Sequence, residues 1–104
     1  MSANASRLAA QQVIEKLGLD ISIARRRRRV KQADMAKQMQ VSRQTLHRLE
    51  HGDATVSLMV LVHALGVLGL AARLAELASP EQDALALEND LQQLPLRIRF
   101  AKGE

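Results

Sequence analysis

The sequence predicts an all-α protein with five or six helices, and two observations support this. The first is composition: 47% of the 104 residues are hydrophobic, mainly Leu and Ala, whereas aromatic residues make up only 1%. Leu and Ala favour helices, and the β-branched residues that favour strands are scarce. The second is a series of Ser, Gly and Pro residues placed where helices begin and end. The hydrophobic fraction is sufficient for a core and excludes a disordered tail.

Local patterns place five helices before residue 79. The expected ranges are 5–28, 32–39, 43–51, 58–68 and 70–78. Gly18 is a candidate break in the first helix. Ser42 and Ser57 suit the N-caps of the third and fourth helices, because a serine hydroxyl accepts an unpaired backbone N–H. Gly52 follows the third helix as a C-terminal glycine does. An amphipathic stripe on the first helix is expected to face the core: Leu8, Val13, Ile14, Leu17, Ile21 and Ala24.

The leucines at 58–77 are assigned to the core by default. Because aromatics are scarce and the helices short, part of this surface is also expected to form a dimer interface. His63 is expected in the core or at that interface. The near-apolar run at 58–72 is shorter than the roughly 20 residues that cross a bilayer, so no membrane contact is expected.

The C-terminal region begins with a clear helix start at 79–82, where Ser suits the N-cap and Pro the first helical position. The helix is expected to end at Gln93, before Pro95. The leucines on one of its faces are Leu87, Leu91 and Leu94. A tail with the period of a β-strand follows, and its apolar residues are Leu96, Ile98 and Phe100. A lone strand needs a partner, either its own copy in a dimer or a sheet edge on another protein. We therefore divide the chain into residues 1–78 and 79–104.

Charge is distributed unevenly along the chain. Residues 1–60 carry 11 Lys and Arg against 5 Asp and Glu, whereas residues 61–104 carry 4 against 6. The basic N-terminal part indicates a surface that binds a polyanion, although a basic chain that is merely soluble also fits the composition. The chain has no Cys, which excludes disulfides, thiol catalysis and a cysteine zinc site. No apolar leader occurs in the first 20 residues, so a cytoplasmic location is expected.

Residues 32–52 carry the pattern of a helix-turn-helix, two short helices joined by a tight turn. Ala36 is small where the second helix must cross close to the first. The apolar residues that hold the crossing are Met35, Met39, Val41, Leu46 and Leu49. The residues left facing outward from the second helix are Arg43, Gln44, His47 and Arg48. Such a helix fits the major groove of DNA, where Arg can bond guanine and Gln can bond adenine.

The stretch from residue 17 to residue 70 resembles the lambda-repressor/Cro-like (XRE) helix-turn-helix family from end to end. The matching features are Gln32, Ala36, the Val41-Ser42 turn, the Leu49-Glu50-x-Gly52 ending and Ser57-Leu58. The resemblance implies that Gln32 binds a DNA phosphate. It implies that Arg43, Gln44 and Arg48 read bases, and that Arg25 forms an internal ion pair with Glu50. The resemblance further implies a dimeric repressor that binds a palindromic operator in double-stranded DNA.

Four positions depart from the family pattern. Lys31 stands where the family prefers a Thr or Ser N-cap, and Gln40 where the turn often has Gly. Arg28 stands where the family often has an apolar residue, and Arg29 where it often has Gly.

The candidate phosphate contacts besides Gln32 are Lys31, Ser42, Thr55, Arg26 and Arg29.

The order of segments after the motif is similar to that of HipB-type antitoxin regulators, which are encoded beside HipA-type kinase toxins. The similarity rests on a Leu-rich helix, an acidic helix and the tail LPLRIRF. It implies that the chain represses its own operon on the nucleoid and binds a HipA-like serine/threonine kinase. It also implies that the C-terminal strand pairs across a homodimer. The alternative is a phage-type or free-standing XRE regulator without a toxin partner.

Two other classes of function compete with DNA binding. The segment His47-Arg48-Leu49-Glu50-His51 formally matches an inverted zinc-peptidase motif, but catalytic zinc needs a third ligand and a cleft, so no metal is expected. A protein-only adaptor that reuses the motif would lack salt-dependent DNA affinity. The sequence has no nucleophile–base pair and no glycine-rich phosphate loop, so we expect neither enzymatic activity nor a cofactor.

Overall fold

The computed structural model describes residues 2–93, except the side chains at positions 82, 86, 87 and 93. The helices are α1 (Ala3–Arg27), α2 (Gln32–Met39), α3 (Arg43–Glu50), α4 (Leu58–Val67), α5 (Ala71–Ala75) and α6 (Ala84–Gln93). A 3₁₀ turn occupies Pro80–Gln82. The helices belong to two compact units, the first ending at Ala71 and the second beginning at Ala72. Residues 2–93 contain no strand, and the strand predicted at 96–100 lies outside them.

The core of the first unit lies where α2 and α3 cross. Met35, Met39 and Leu46 are almost completely buried there, and Ala36 is 2% exposed at the crossing. The other helices contribute Ile21 from α1 and Ala64, Leu65 and Leu68 from the end of α4. The core is therefore aliphatic, and the close approach at Ala36 that the sequence predicts is present.

The ends of the helices follow local chemistry. The backbone N–H of Thr45 donates to Ser42 Oγ at 3.0 Å, and that of Val60 to Ser57 Oγ at 3.2 Å. Lys31 provides no side-chain cap to α2. Arg29 and Gln40 both have φ of +58°, the left-handed conformation that glycine adopts most easily. Both are positions where the sequence departs from the glycine typical of the resembling family.

The suggested break in α1 at Gly18 is wrong, because the helix continues through it from Ala3 to Arg27. Gly18 has a different role, since α1 crosses the last turn of α3 at this point. A Cβ at Gly18 would touch the carbonyl oxygen of Leu49 and lie 2.9 Å from that of Glu50. Gly18 therefore permits backbone-to-backbone contact between two helices.

Several residues assigned to the core are exposed. Leu8 and Val13 of α1 are exposed because this helix has 25 residues, whereas α3, on which it packs, has only 8. Leu58 is 71% exposed at the start of α4, and Leu77 is also exposed. His63 is exposed and not a core residue. The core assignment fails here because a short α4 with apolar residues all round can bury only the side facing α2 and α3.

The second unit differs in two details from the expected helices. The fifth helix ends at Ala75 instead of residue 78. The sixth begins at Ala84, and the predicted start at 79–82 is a 3₁₀ turn. The Ser79 hydroxyl donates to the Glu81 carboxylate instead of capping a backbone N–H, and this bond lowers the pKa of Glu81. Within the described part of the chain, no helix has both the length and the apolar character needed to span a bilayer.

We expect Gly18→Ala to lower the free energy of unfolding by about 2 kcal/mol, because the new methyl group would force α1 away from α3. Gly66→Ala is the matched control, since it also lies inside a helix but a Cβ there would meet nothing within 4 Å. It should stabilise the protein by about 0.5 kcal/mol. Urea unfolding followed by circular dichroism measures both, and equal stability of the two variants would contradict this account of Gly18.

Candidate nucleic-acid interface

Helix α3 has one buried face and one exposed face. Its buried residues are Leu46, Leu49 and Glu50. Arg43, Gln44 and His47 are exposed, whereas Arg48 is half-buried. In a helix, residues four apart lie on the same side, so Arg43 aligns with His47 and Gln44 with Arg48. The structure thus brings together on one helix all four residues that the sequence predicts to read bases.

The turn before α3 is tight and ordered by hydrogen bonds. Gln40 reverses the chain in its left-handed conformation, and the backbone N–H of Val41 donates to the Ala36 carbonyl at 3.0 Å. The hydroxyls of Ser42 and Thr45 lie 2.9 Å apart. Ser42 therefore lies at the positive end of the α3 dipole, a position suited to a phosphate.

A buried network holds the opposite end of α3. Arg25 donates to Glu50 through Nε at 2.7 Å and through Nη2 at 3.0 Å. Its Nη1 donates to the Val30 carbonyl at 2.9 Å. The pair that the sequence predicts from its family resemblance is thus present, with both residues less than 10% exposed. Hydrogen bonding to Glu50 raises the pKa of Arg25, which keeps the guanidinium charged.

Gln32, the predicted phosphate contact, belongs to the same network. Its Nε2 donates to Glu50 Oε1 at 2.9 Å, and the residue is half-buried at the start of α2. An amide nitrogen has two hydrogens, so one bond to Glu50 leaves a second donor. Glu50 therefore orients the Gln32 amide at the N-terminus of a helix, where an anion is favoured.

A second cluster lies at the end of α3, and sequence reasoning missed its central residue, Asp53. Arg48 Nε donates to Asp53 Oδ2 at 2.7 Å, and Arg48 Nη2 donates to Thr55 Oγ1 at 2.7 Å. The Thr55 hydroxyl in turn donates to Asp53 Oδ1 at 2.6 Å. Bonds from Thr55 first, and then from Arg48, hold the pKa of Asp53 well below its usual range. The sequence offered one indication, an Asp directly after the helix-ending Gly52 and two residues before a Thr.

The arginine run at 25–29 separates into different roles. Arg25 is buried, and Arg28 Nη2 donates to the Leu68 carbonyl at 3.0 Å, which connects α1 to the end of α4. Arg26 bonds only the Ser22 carbonyl of its own helix at 3.3 Å among the residues described. Arg26, Arg29 and Lys31 are exposed. These last three are the basic phosphate candidates that remain accessible.

The zinc-peptidase pattern does not form a metal centre. The Glu50 carboxylate is occupied by Arg25 and Gln32 in the interior. The His47 and His51 rings stack outside, with centroids 4.0 Å apart. Over residues 2–93, no group of three or more His, Cys, Asp or Glu side chains is placed to hold a metal ion.

This arrangement is that of a helix-turn-helix domain. One face of α3 is buried in the core, and the opposite face is exposed. A family model described as a helix-turn-helix domain matches residues 16–78, which is more than half of the chain. The chain belongs to this family. No curated protein and no solved structure matches it at a significant level.

We expect Glu50→Ala to lower the free energy of unfolding by about 3 kcal/mol, because it leaves a buried guanidinium without its partner. Asp20→Ala is the control, since it breaks the exposed pair with Lys16 and should change stability little. A double variant, Arg25→Met with Glu50→Leu, should be more stable than Glu50→Ala because neither charge remains. Chemical denaturation measures all three. A Glu50→Ala protein as stable as Asp20→Ala would show that the pair does not hold α3.

Proposed function

We propose that the protein is a sequence-specific DNA-binding transcriptional repressor. The observation that carries the proposal is the exposed edge of Arg43, Gln44 and His47 on a helix anchored by its buried face. A helix-turn-helix domain suggests regulation through DNA binding, and the family match covers the whole of this edge. The proposed function is binding, without catalysis or a cofactor.

The exposed edge has the chemistry for reading bases. An arginine at residue 43 can bond guanine O6 and N7, and the amide of Gln44 can bond adenine N6 and N7. His47 lies one turn further along the helix and can donate to or accept from a base edge. Arg48, the fourth predicted reader, retains N–H groups beyond those given to Asp53 and Thr55.

The phosphate contacts would surround this edge. Gln32 and Ser42 stand at the N-termini of α2 and α3, and Lys31 immediately precedes α2. Arg26 and Arg29 add exposed positive charge near the end of α1. Thr55, also predicted to contact a phosphate, has no hydrogen left to donate to one in this structure, because its hydroxyl and its backbone N–H both donate to Asp53.

A homodimer is part of the proposal. A palindromic operator would place the two recognition helices about 34 Å apart in successive major grooves. What supports a dimer is an apolar surface on α4, where Leu58, Met59 and Val62 are exposed. The C-terminal residues Leu96, Ile98 and Phe100, proposed to pair as strands between copies, lie outside the described residues.

Arg43→Ala combined with Gln44→Ala should abolish sequence preference in DNA binding while leaving stability unchanged, because both side chains are exposed. The matched control is Arg7→Ala with Gln12→Ala, which removes the same two residue types from exposed positions of α1. Selection from a duplex library with a randomised centre, followed by sequencing, measures the preference. An unchanged enriched motif in the Arg43/Gln44 variant would contradict the proposed role of α3.

Lys31→Ala provides the contrast within that experiment. Loss of one phosphate contact should weaken binding to all duplexes alike and reduce the slope of log affinity against log salt by about 0.9. Its enriched motif should be that of the wild type.

The finer proposal is a HipB-like antitoxin that represses its own operon and binds a HipA-like kinase. The order of segments after the helix-turn-helix supports it: an apolar helix, an acidic helix and a basic-apolar tail. A phage-type or free-standing regulator is the second candidate, and the family match extends no further than residue 78.

Two measurements test this finer proposal. Co-purification with the product of the neighbouring gene is expected for an antitoxin and would be absent for a free-standing regulator. Ile98→Asp with Phe100→Asp should convert a dimer to a monomer in sedimentation if the tails pair. Met59→Asp, on the exposed face of α4, is the comparison. Dissociation by Met59→Asp alone would assign the dimer to α4 instead.

A further inference from the structure

The proposed base reading includes Arg48 but gives no role to Asp53, the residue with which Arg48 forms an ion pair. Arg48 is part of the recognition helix, one turn after Gln44, and its side chain is 42% exposed. Its partner Asp53 follows the helix and is also partly exposed. An acidic residue beside a DNA-binding edge reduces attraction to phosphate, so its presence there requires a reason.

The hydrogen bonds fix the orientation of the guanidinium. Nε and one hydrogen of Nη2 are directed to Asp53 and Thr55. Thr55 is itself held by Asp53 through both its hydroxyl and its backbone N–H, at 2.6 and 2.8 Å. Arg48 is therefore held by two hydrogen-bond partners, Asp53 and Thr55, which are also bonded to each other. Three of its five N–H groups have no partner among the described residues.

The ion pair also changes what Arg48 prefers to bind. A phosphate that approaches the free N–H groups meets the negative charge of Asp53 behind them, and this repulsion offsets its attraction to Arg48. Guanine O6 and N7 are neutral acceptors, so Asp53 repels them far less. The same N–H groups in a fixed plane match the two guanine acceptors. The cluster therefore weakens phosphate binding and retains directional binding to a base.

We propose that Asp53 is a specificity-determining residue, which positions Arg48 and cancels its charge so that Arg48 discriminates between bases instead of binding phosphate. The inference rests on the proposed function, DNA binding through α3. Asp53 itself touches no DNA in this proposal and acts through Arg48. Bonds from Thr55 and Arg48 lower the pKa of Asp53, so its carboxylate is ionised at neutral pH.

The experiment compares four variants of the full chain with the wild type. Asp53→Asn removes the charge behind Arg48, and Thr55→Val removes the Nη2 acceptor while leaving the ion pair. Arg48→Ala identifies the base position that Arg48 reads. Asp20→Asn is the matched control, because it gives the same change in net charge at another Arg/Lys–Asp pair, on α1. The probes are the randomised duplex library and one scrambled duplex, with circular dichroism to check folding.

The expected results separate specificity from stability. Asp53→Asn should bind the scrambled duplex more tightly, and its salt slope should steepen by about 0.9, one additional phosphate. At the base position where Arg48→Ala loses its preference, Asp53→Asn should lose about tenfold in discrimination. Thr55→Val should weaken the same base preference without a steeper salt slope. Asp20→Asn should retain the wild-type motif.

Three results would overturn the inference. If Asp53→Asn lowers only thermal stability and keeps the wild-type motif and salt slope, Asp53 merely closes the turn after α3. If Arg48→Ala keeps the whole motif, Arg48 reads no base. If the wild-type protein enriches no motif, the proposed function fails and this inference fails with it. The first two results leave the proposed function intact, so the two failures are distinguishable.

Discussion

Arg25 and Glu50 form a buried ion pair that joins the end of α1 to the end of α3, and the position of the recognition helix depends on it. Two hydrogen bonds connect the pair, a third reaches the Val30 carbonyl, and Gln32 brings the start of α2 to the same carboxylate. Removal of two charges from water is costly unless their remaining donors and acceptors are satisfied. Here they are satisfied by groups from three helices and from the loop between α1 and α2, so the network specifies one arrangement of α1, α2 and α3.

The two ends of α3 are controlled by different interactions. At its N-terminus, the Ser42 cap and the left-handed Gln40 determine where the helix begins. At its C-terminus, the close contact at Gly18 holds the backbone from behind. The Arg48–Asp53 pair lies nearby but on the exposed side. A helix fixed in this way presents its outer residues with little freedom, which is what directional bonds to base edges require.

The arginine run at residues 25–29 shows that composition alone does not predict the role of each charged residue. Five identical neighbours, residues 25–29, include one buried ion-pair partner and one link to the end of α4. Another is exposed in a left-handed turn. Residues 25–27 point in different directions because a helix rotates by about 100° per residue, whereas Arg28 and Arg29 lie beyond the end of α1. Arg25 is therefore not available to a polyanion, whereas the arginines at residues 26–29 are exposed.

Most helix positions, the caps at Ser42 and Ser57 and the pattern of buried residues at the α2–α3 crossing could be predicted from the sequence, because they depend on neighbours within a few residues. The Arg25–Glu50 pair was accessible only through a family resemblance, since 25 residues separate the two. Gly18, Leu58 and Asp53 were misjudged or missed. Whether Gly18 breaks a helix or admits another backbone depends on what crosses it, and whether Leu58 is buried depends on what covers it. The partner that Arg48 selects depends on how the chain turns after Gly52. Packing between distant segments of the chain decides these questions, and the local sequence does not predict that packing.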